Sequence, residues 1–259
     1  MARPKVGLAL GSGAARGLAH IGVLKVFQQE GIPVDMIAGS SMGSLVAVLY
    51  ANQLDLEMLE QLAIHLKRKH WLDFKVPGLG FIAGDRIKEL VRLLTHGKQL
   101  EELAIPTAVI ATDLLKGERV VFSSGPIDHA VRASISIPGI FEPVMDDGRV
   151  LVHGGVIDRV PVSAVRDLGA DLVIAVDVAP HGTDAKVEGI FDVILQTISL
   201  MEREIMNNQL LMADVLIHPD VTAINPTAFS QAKECIRLGE EAARSQIKEI
   251  KELVQGREV

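Results

Sequence analysis

Residues 34–44 read Val34-Asp35-Met36-Ile37-Ala38-Gly39-Ser40-Ser41-Met42-Gly43-Ser44. An apolar run, Met36 to Ala38, stops at Gly39-Ser40-Ser41-Met42-Gly43, and Leu45, Val46, Val48 and Leu49 continue in a helical pattern. The stretch is Gly-x-Ser-x-Gly on a strand–turn–helix frame. A serine at the tip of such a turn is lifted clear of the sheet, where an acyl carbonyl can reach it. Gly39 and Gly43 tolerate the tight backbone and leave room for the substrate. The N–H groups that open the next helix favour negative charge nearby. Ser41 is therefore the candidate nucleophile. Alone, the pentapeptide also occurs in ordinary turns rich in glycine and serine, so its surroundings decide its meaning.

Upstream, Lys5-Val6-Gly7-Leu8-Ala9-Leu10 predicts a buried strand and Gly11-Ser12-Gly13-Ala14-Ala15-Arg16-Gly17 a glycine-rich turn. Residues 18–30 predict a helix closed by Gly31 ahead of Pro33. This β-loop-α-β-turn-α start predicts an α/β fold: a mainly parallel central sheet flanked by helices, in three layers. Further strands are expected at 107–113, 119–122, 149–152, 171–177 and 214–219, and helices over 55–70, 85–94, 127–134, 161–169, 191–212 and 230–254. Residues 71–82 hold Trp71, Phe74 and Phe81 without a clear period. They predict a loop that either borders a substrate groove or is pinned to the core by its aromatics. No linker or internal repeat interrupts the chain, so residues 1–259 are expected to form one domain. Its motif-bearing core is 5–180, with helices and one strand over 181–259.

The first glycine loop has two readings. Gly11-x-Gly13-x-x-Arg16 between a strand and a helix looks like a dinucleotide fingerprint, but arginine fills the last glycine position and the next strand ends at Gly39-Ser40 instead of an acidic residue. The other reading is an oxyanion hole, in which backbone N–H groups of Gly11, Ser12, Gly13 and Ala14 form a donor cradle beside the Ser41 turn. Arg16 either holds the loop, by a salt bridge for example, or meets an anionic head group.

Composition narrows the partners. Hydrophobic residues make up 48% of the 259, and aromatics only 3%, so the core must be built from Val, Ile, Leu and Ala. The net charge of −7 argues against nucleic acid and gives no general pull toward anionic membranes. Lys67-Arg68-Lys69 is a local basic patch that could add a transient membrane-surface contact. The lone Cys235 fits a reducing compartment. With no signal-peptide pattern and no long apolar span, the expectation is a cytoplasmic protein, peripheral at a membrane at most. No His/Cys/Asp cluster has metal spacing, so neither metal nor cofactor is expected.

A serine nucleophile needs a base. Of the eight histidines, His153 alone follows an apolar strand and precedes two glycines, which puts it at a strand end, where parallel-sheet proteins keep their sites. The ordered set of Gly11 to Gly17, Gly39 to Gly43 and Gly154-Gly155 resembles the patatin-like phospholipase family, and more narrowly its small bacterial members related to neuropathy target esterase. The resemblance spans roughly residues 5–180. It implies an α/β fold, a Ser–Asp dyad with no histidine, a glycine-rich oxyanion loop falling on Gly11 to Arg16, a nucleophile on Ser41, and hydrolysis of acyl esters of lipids or lysophospholipids.

One position departs from that pattern. The family's third motif is Asp-Gly-Gly or Asp-Gly-Ala, and here it reads His153-Gly154-Gly155. Three readings stay open: His153 is the base of a Ser–His dyad; the site is impaired, by natural loss or by deliberate substitution, leaving an acyl-binding or regulatory module; or another carboxylate, Asp147 or Asp158, supplies the base.

Overall fold

The fold is taken from a computed structural model, which describes residues 3–66, 71–76, 78–180, 189–206 and 212–256. The Lys67-Arg68-Lys69 patch and the tail of the helix expected over 191–212 lie outside the described residues. Strands β1 (Val6–Leu10), β2 (Met36–Ser40), β3 (Thr107–Asp113), β7 (Leu172–Val176) and β8 (Val215–Ile217) form a parallel sheet ordered β3-β2-β1-β7-β8. The late strand, β8, thus joins the same sheet. Three further strands are antiparallel: β4 (Glu118–Phe122) and β6 (Arg149–His153) on β3, and β5 (Val144–Asp146) on β6. β5 is not expected from the sequence, because a three-residue strand ending in Met145-Asp146 carries no period.

Side-chain alternation decides which helix lies on which face. Val6, Leu8 and Leu10 of β1 meet helices α1 (Ala19–Glu30), α2 (Met42–Ala51) and α8 (Ala232–Gln255) on one side. Ala9, Ala38, Ala108 and Ala175 turn to the other face, against the short α6 (Val162–Asp167). Small residues there let α6 sit close: a Cβ on Gly7 would strike Val165 and Ala170. Helices α3 (Leu56–His65), α4 (Asp85–Leu94) and α5 (Ile127–Ser134) extend the first face, and α7 (Ile190–Met206) crosses near the end of β6. The result is the expected three-layer arrangement, its central sheet mixed at the β3 end.

Helices α1 and α8 touch backbone to backbone. A Cβ on Gly22 would strike the Ile236 carbonyl, and one on Gly239 the Ala19 carbonyl. Gly239→Ala is expected to destabilise the fold by about 2 to 3 kcal/mol through forced separation of the helices, read as a lower midpoint in urea unfolding. An unchanged midpoint would show that the helices do not cross this closely.

Candidate active site

The site lies where two strands meet end to end. Residues Ile37–Ser40 of β2 pair with Thr107–Ile110 of β3, and His153–Leu151 of β6 pair with Ala111–Asp113. β4 runs along the opposite edge of β3, opposite Val109–Asp113. A strand has two edges, so β2 and β6 share one and approach each other from opposite directions. Ser40 and His153 therefore sit opposite consecutive residues, Ile110 and Ala111. Glycine makes the junction possible: a Cβ on Gly154 would strike the Ile110 carbonyl and lie 2.7 Å from Ser40 Oγ.

Ser41 is the residue between β2 and α2, with φ 54° and ψ −121°. That left-handed backbone is costly for a non-glycine residue and is held by its surroundings. Its N–H donates to Ser134 Oγ at 2.8 Å, and its carbonyl accepts from Ser44 N and Oγ. A Cβ on Gly39 would strike the Gly43 carbonyl, and one on Gly43 the Leu10 carbonyl. The glycines thus let the elbow close and let α2 press on the end of β1. Ser134 and the next turn tie both strand ends, since His153 N donates to the Ser136 carbonyl at 2.9 Å.

The glycine loop lies against this elbow, and its donors are not equivalent. Gly11 N donates to the Val176 carbonyl and Ser12 N to the Arg159 carbonyl, each at 3.0 Å. Ala15 N and Arg16 N are also paired. Among the described residues Gly13 N and Ala14 N have no hydrogen-bond partner, and Ala14 holds a positive φ of 48°. Four adjacent donors are thus reduced to two, because the loop uses the first two, Gly11 N and Ser12 N, to fix itself. Arg16 is buried and donates from Nε to the Ile224 carbonyl at 2.7 Å, so it pins the loop to the chain preceding α8, with no carboxylate partner among the described residues. Burial lowers its pKa, and the nearby Arg159 charge adds to that.

Ser41 opens on an apolar cavity of about 300 Å³ lined by Leu18, Leu45, Leu59, Trp71, Phe141 and Phe191, among others. Residues of the 71–82 stretch both line this cavity and pack against other aromatics. Trp71 packs edge-on against Phe229 at 5.0 Å and lines the cavity, and Phe74 lines it while remaining 68% exposed.

His153 is buried, its Nδ1 fully enclosed and without a hydrogen-bond partner among the described residues. Burial holds its pKa down to about 3, with the Arg159 charge adding to the effect, so the ring is neutral at physiological pH. No hydrogen bond joins His153 to Ser41. They line adjoining cavities that share Ala14, Ile137, Leu195 and Pro226. Asp147 and Asp158 lie elsewhere. Asp147 is in the exposed β5–β6 turn, at the far end of β6, and Asp158 is buried against Arg119 at 3.0 Å. The carboxylate near His153 is one that sequence reasoning missed: Glu202 of α7, with Oε1 3.6 Å from Nδ1. Glu202 also pairs with the buried Arg159, which reaches Asp177 at 3.4 Å. The signal for it was an acid in the apolar stripe of a helix, two turns after Leu195.

The family model described as patatin-like phospholipase matches residues 8–166, well over half of the chain. An uncharacterized NTE family protein of Mycobacterium tuberculosis is 40% identical over 185 residues, which cover 70% of this chain and 51% of that protein. A lysophospholipase named NTE1 from Pyricularia oryzae is 36% identical over 186 residues, covering 69% of this chain but 12% of that one. The chain thus spans about half the length of the mycobacterial relative and a small part of the fungal one. Among solved structures, VipD from Legionella pneumophila superposes with a TM-score of 0.66 at 15% identity, covering 96% of this chain and 67% of that one. ExoU from Pseudomonas aeruginosa superposes at 0.56 and 14%, covering 98% and 54%. The two structural likenesses are of fold alone, whereas the family model spans residues 8–166, the range that holds the elbow, the glycine loop and the β6 end: the chain belongs to the patatin-like phospholipase family.

Proposed function

We propose that the chain is a serine hydrolase cleaving carboxylic esters of lipids or lysophospholipids. The observation that carries this is a serine held at positive φ, opening on an apolar cavity of about 300 Å³, with two unpaired backbone donors beside it. The cavity takes the acyl chain. Ser41 Oγ attacks the carbonyl carbon while its proton passes to His153. The oxyanion is held by the N–H groups of Gly13 and Ala14, each contributing roughly 3 kcal/mol. The proton then goes to the leaving alkoxide, which departs as the alcohol. Water attacks the acyl-enzyme, His153 takes its proton, and the acid leaves as Ser41 recovers its hydrogen. Hydrolysis of p-nitrophenyl butyrate that requires Ser41 supports this reading. A wild-type rate equal to that of Ser41→Ala overturns it.

A second reading has an observation in its favour: a catalytically impaired acyl-binding or regulatory module. Burial and Arg159 make His153 a weak base, and no hydrogen bond links it to Ser41. Replacing His153 by the family's aspartate separates the two. Under the hydrolase reading His153→Asp lowers the rate, and under the impaired reading it raises the rate from near zero.

The substrate's chains lie in bilayers, and the cavity mouth suits that source. Val76 and Leu79 are 87% and 69% exposed in the same loop as Phe74, and Phe81 packs edge-on against Phe191 at 5.8 Å. Among the described residues no helix is long and apolar enough to cross a membrane; the exposed apolar side chains of this lip are the surface proposed to meet the bilayer. Replacing Phe74 or Leu79 by serine is expected to weaken partition into phosphatidylcholine vesicles about tenfold each, with little change in turnover of a soluble short-chain ester. Unchanged sedimentation with vesicles would remove the lip from the account.

A further inference from the structure

Three enclosed polar atoms converge above Gly155: Ser12 Oγ, His153 Nδ1 and Glu202 Oε1; none has a hydrogen bond of good geometry among the described residues, although the Ser12 hydroxyl is near enough to the carboxylate to favour its charged form. A Cβ on Gly155 would strike Glu202 Oε1 and lie 2.6 Å from His153 Cε1 and 2.7 Å from Ser12 Oγ. Residue 155 is thus a glycine whose missing side chain leaves space for this group. Buried polar atoms almost always find partners, because leaving one unmade costs about 1 to 3 kcal/mol. Here the unpartnered ring nitrogen and the unpartnered carboxylate oxygen face each other at 3.6 Å. That is longer than a hydrogen bond, and a shift under 1 Å closes it. Loose contacts of this kind are common in free enzymes and tighten when substrate binds.

We propose that Glu202 is a positioning residue for the active site: its carboxylate holds the Nδ1–H of His153, so that Nε2 is presented to Ser41 as the base, giving a Ser–His–Glu arrangement in place of the family's Ser–Asp pair. The inference rests on the hydrolase reading above. Three further observations support it. Glu202 lies beyond residues 8–166, so the family match does not contain it and only the fold brings it to the site. The opposite oxygen of its carboxylate is held by the Arg159 guanidinium, whose backbone carbonyl also accepts from Ser12 N in the glycine loop. One arginine therefore fixes both the carboxylate and the oxyanion loop. The exchange is also chemically coherent. Aspartate takes a proton as an anion, whereas imidazole becomes a cation when it does so, and a cation formed beside Arg159 requires a compensating negative charge.

Among the described residues the charged groups around Glu202 are Arg159 and Asp177, and the Arg159 charge also lowers the pKa of Arg16 in the loop. Burial pushes the Glu202 pKa up to about 6, with Arg159 opposing, Asp177 adding and the Ser12 hydroxyl opposing, while His153 stays neutral down to about 3. Activity should therefore fall as pH drops through about 6, where Glu202 gains a proton and can no longer accept from Nδ1–H.

The test compares wild type, Glu202→Gln, Glu202→Asp, His153→Ala and the Glu202→Gln/His153→Ala pair on p-nitrophenyl butyrate across pH 5 to 9 (roughly the usable range for this ester). Glu202→Gln is expected to lower kcat about a hundredfold or more with KM little changed, to abolish the limb near pH 6, and to be partly rescued by Glu202→Asp. The double variant should be no slower than His153→Ala alone, because the residues act as one unit. Retained kcat or an unmoved pH profile in Glu202→Gln overturns the inference and leaves the hydrolase reading standing. A wild-type rate independent of Ser41 overturns both. Should Glu202→Gln fail to fold, the nitrogen chemical shifts of His153 in wild type decide. Protonation at Nδ1 with a titration near pH 6 supports the inference, and protonation at Nε2 overturns it.

Discussion

Ser41→Ala is expected to lower hydrolysis of p-nitrophenyl butyrate by about ten-thousandfold or more, leaving only what the cavity and the Gly13–Ala14 donors achieve alone. Fold stability should be nearly unchanged. The Ser41 side chain makes no hydrogen bond among the described residues, and the contacts that hold the elbow come from its backbone, through Ser134 and Ser44. Alanine carries the same Cβ as serine, so it meets the same strain at φ 54°. The pair of readings matters: a large loss of rate with an unchanged unfolding midpoint assigns the effect to chemistry. A comparable loss of both would assign it to a collapsed elbow.

His153→Ala carries the second large effect, about a hundred- to ten-thousandfold in kcat, the usual range for a general base. KM should change little, since the cavity proposed to take the acyl chain is lined by Leu45, Leu59 and Trp71 and not by the imidazole. The size of the loss is informative because the free ring is a poor base, held down to about 3 by burial and Arg159. A base that weak is useful only if the protein stabilises its cation once formed. A loss near the top of the range therefore implies a compensating anion, and Glu202 is the carboxylate placed to supply it. A loss below tenfold favours the impaired reading, in which the cavity binds lipid and the serine is idle.

How much of this was legible follows from the range of each interaction. The Ser41 elbow was legible because its glycines, its serine and the following helix are consecutive. The adjacency of the glycine loop was legible because β1 and β2 are successive parallel strands, which usually neighbour one another. Which of the loop's N–H groups stay unpaired was not. Gly11 N and Ser12 N are taken by carbonyls of Val176 and Arg159, residues far along the chain. The position of His153 at a strand end could be read from Val150 to Gly155, but its meeting with Ser40 could not. That meeting depends on β6 taking the same edge of β3 that β2 leaves, in the opposite direction. Asp147 and Asp158 looked like equal alternatives in the sequence. The β5–β6 turn carries the first away from the site, and Arg119 holds the second. Glu202 was hidden because an acid on an amphipathic helix is ordinarily a solvated residue, and only the packing of α7 on Gly155 buries it.

The most direct test of the Ser41–His153 account is the rate and site of covalent labelling by an alkyl fluorophosphonate, mapped by mass spectrometry. The account predicts one adduct, on the peptide bearing Ser41, formed in wild type and slowed by about a hundredfold in His153→Ala. Labelling of Ser41 at the same rate in both proteins, or an adduct on another residue, would contradict it.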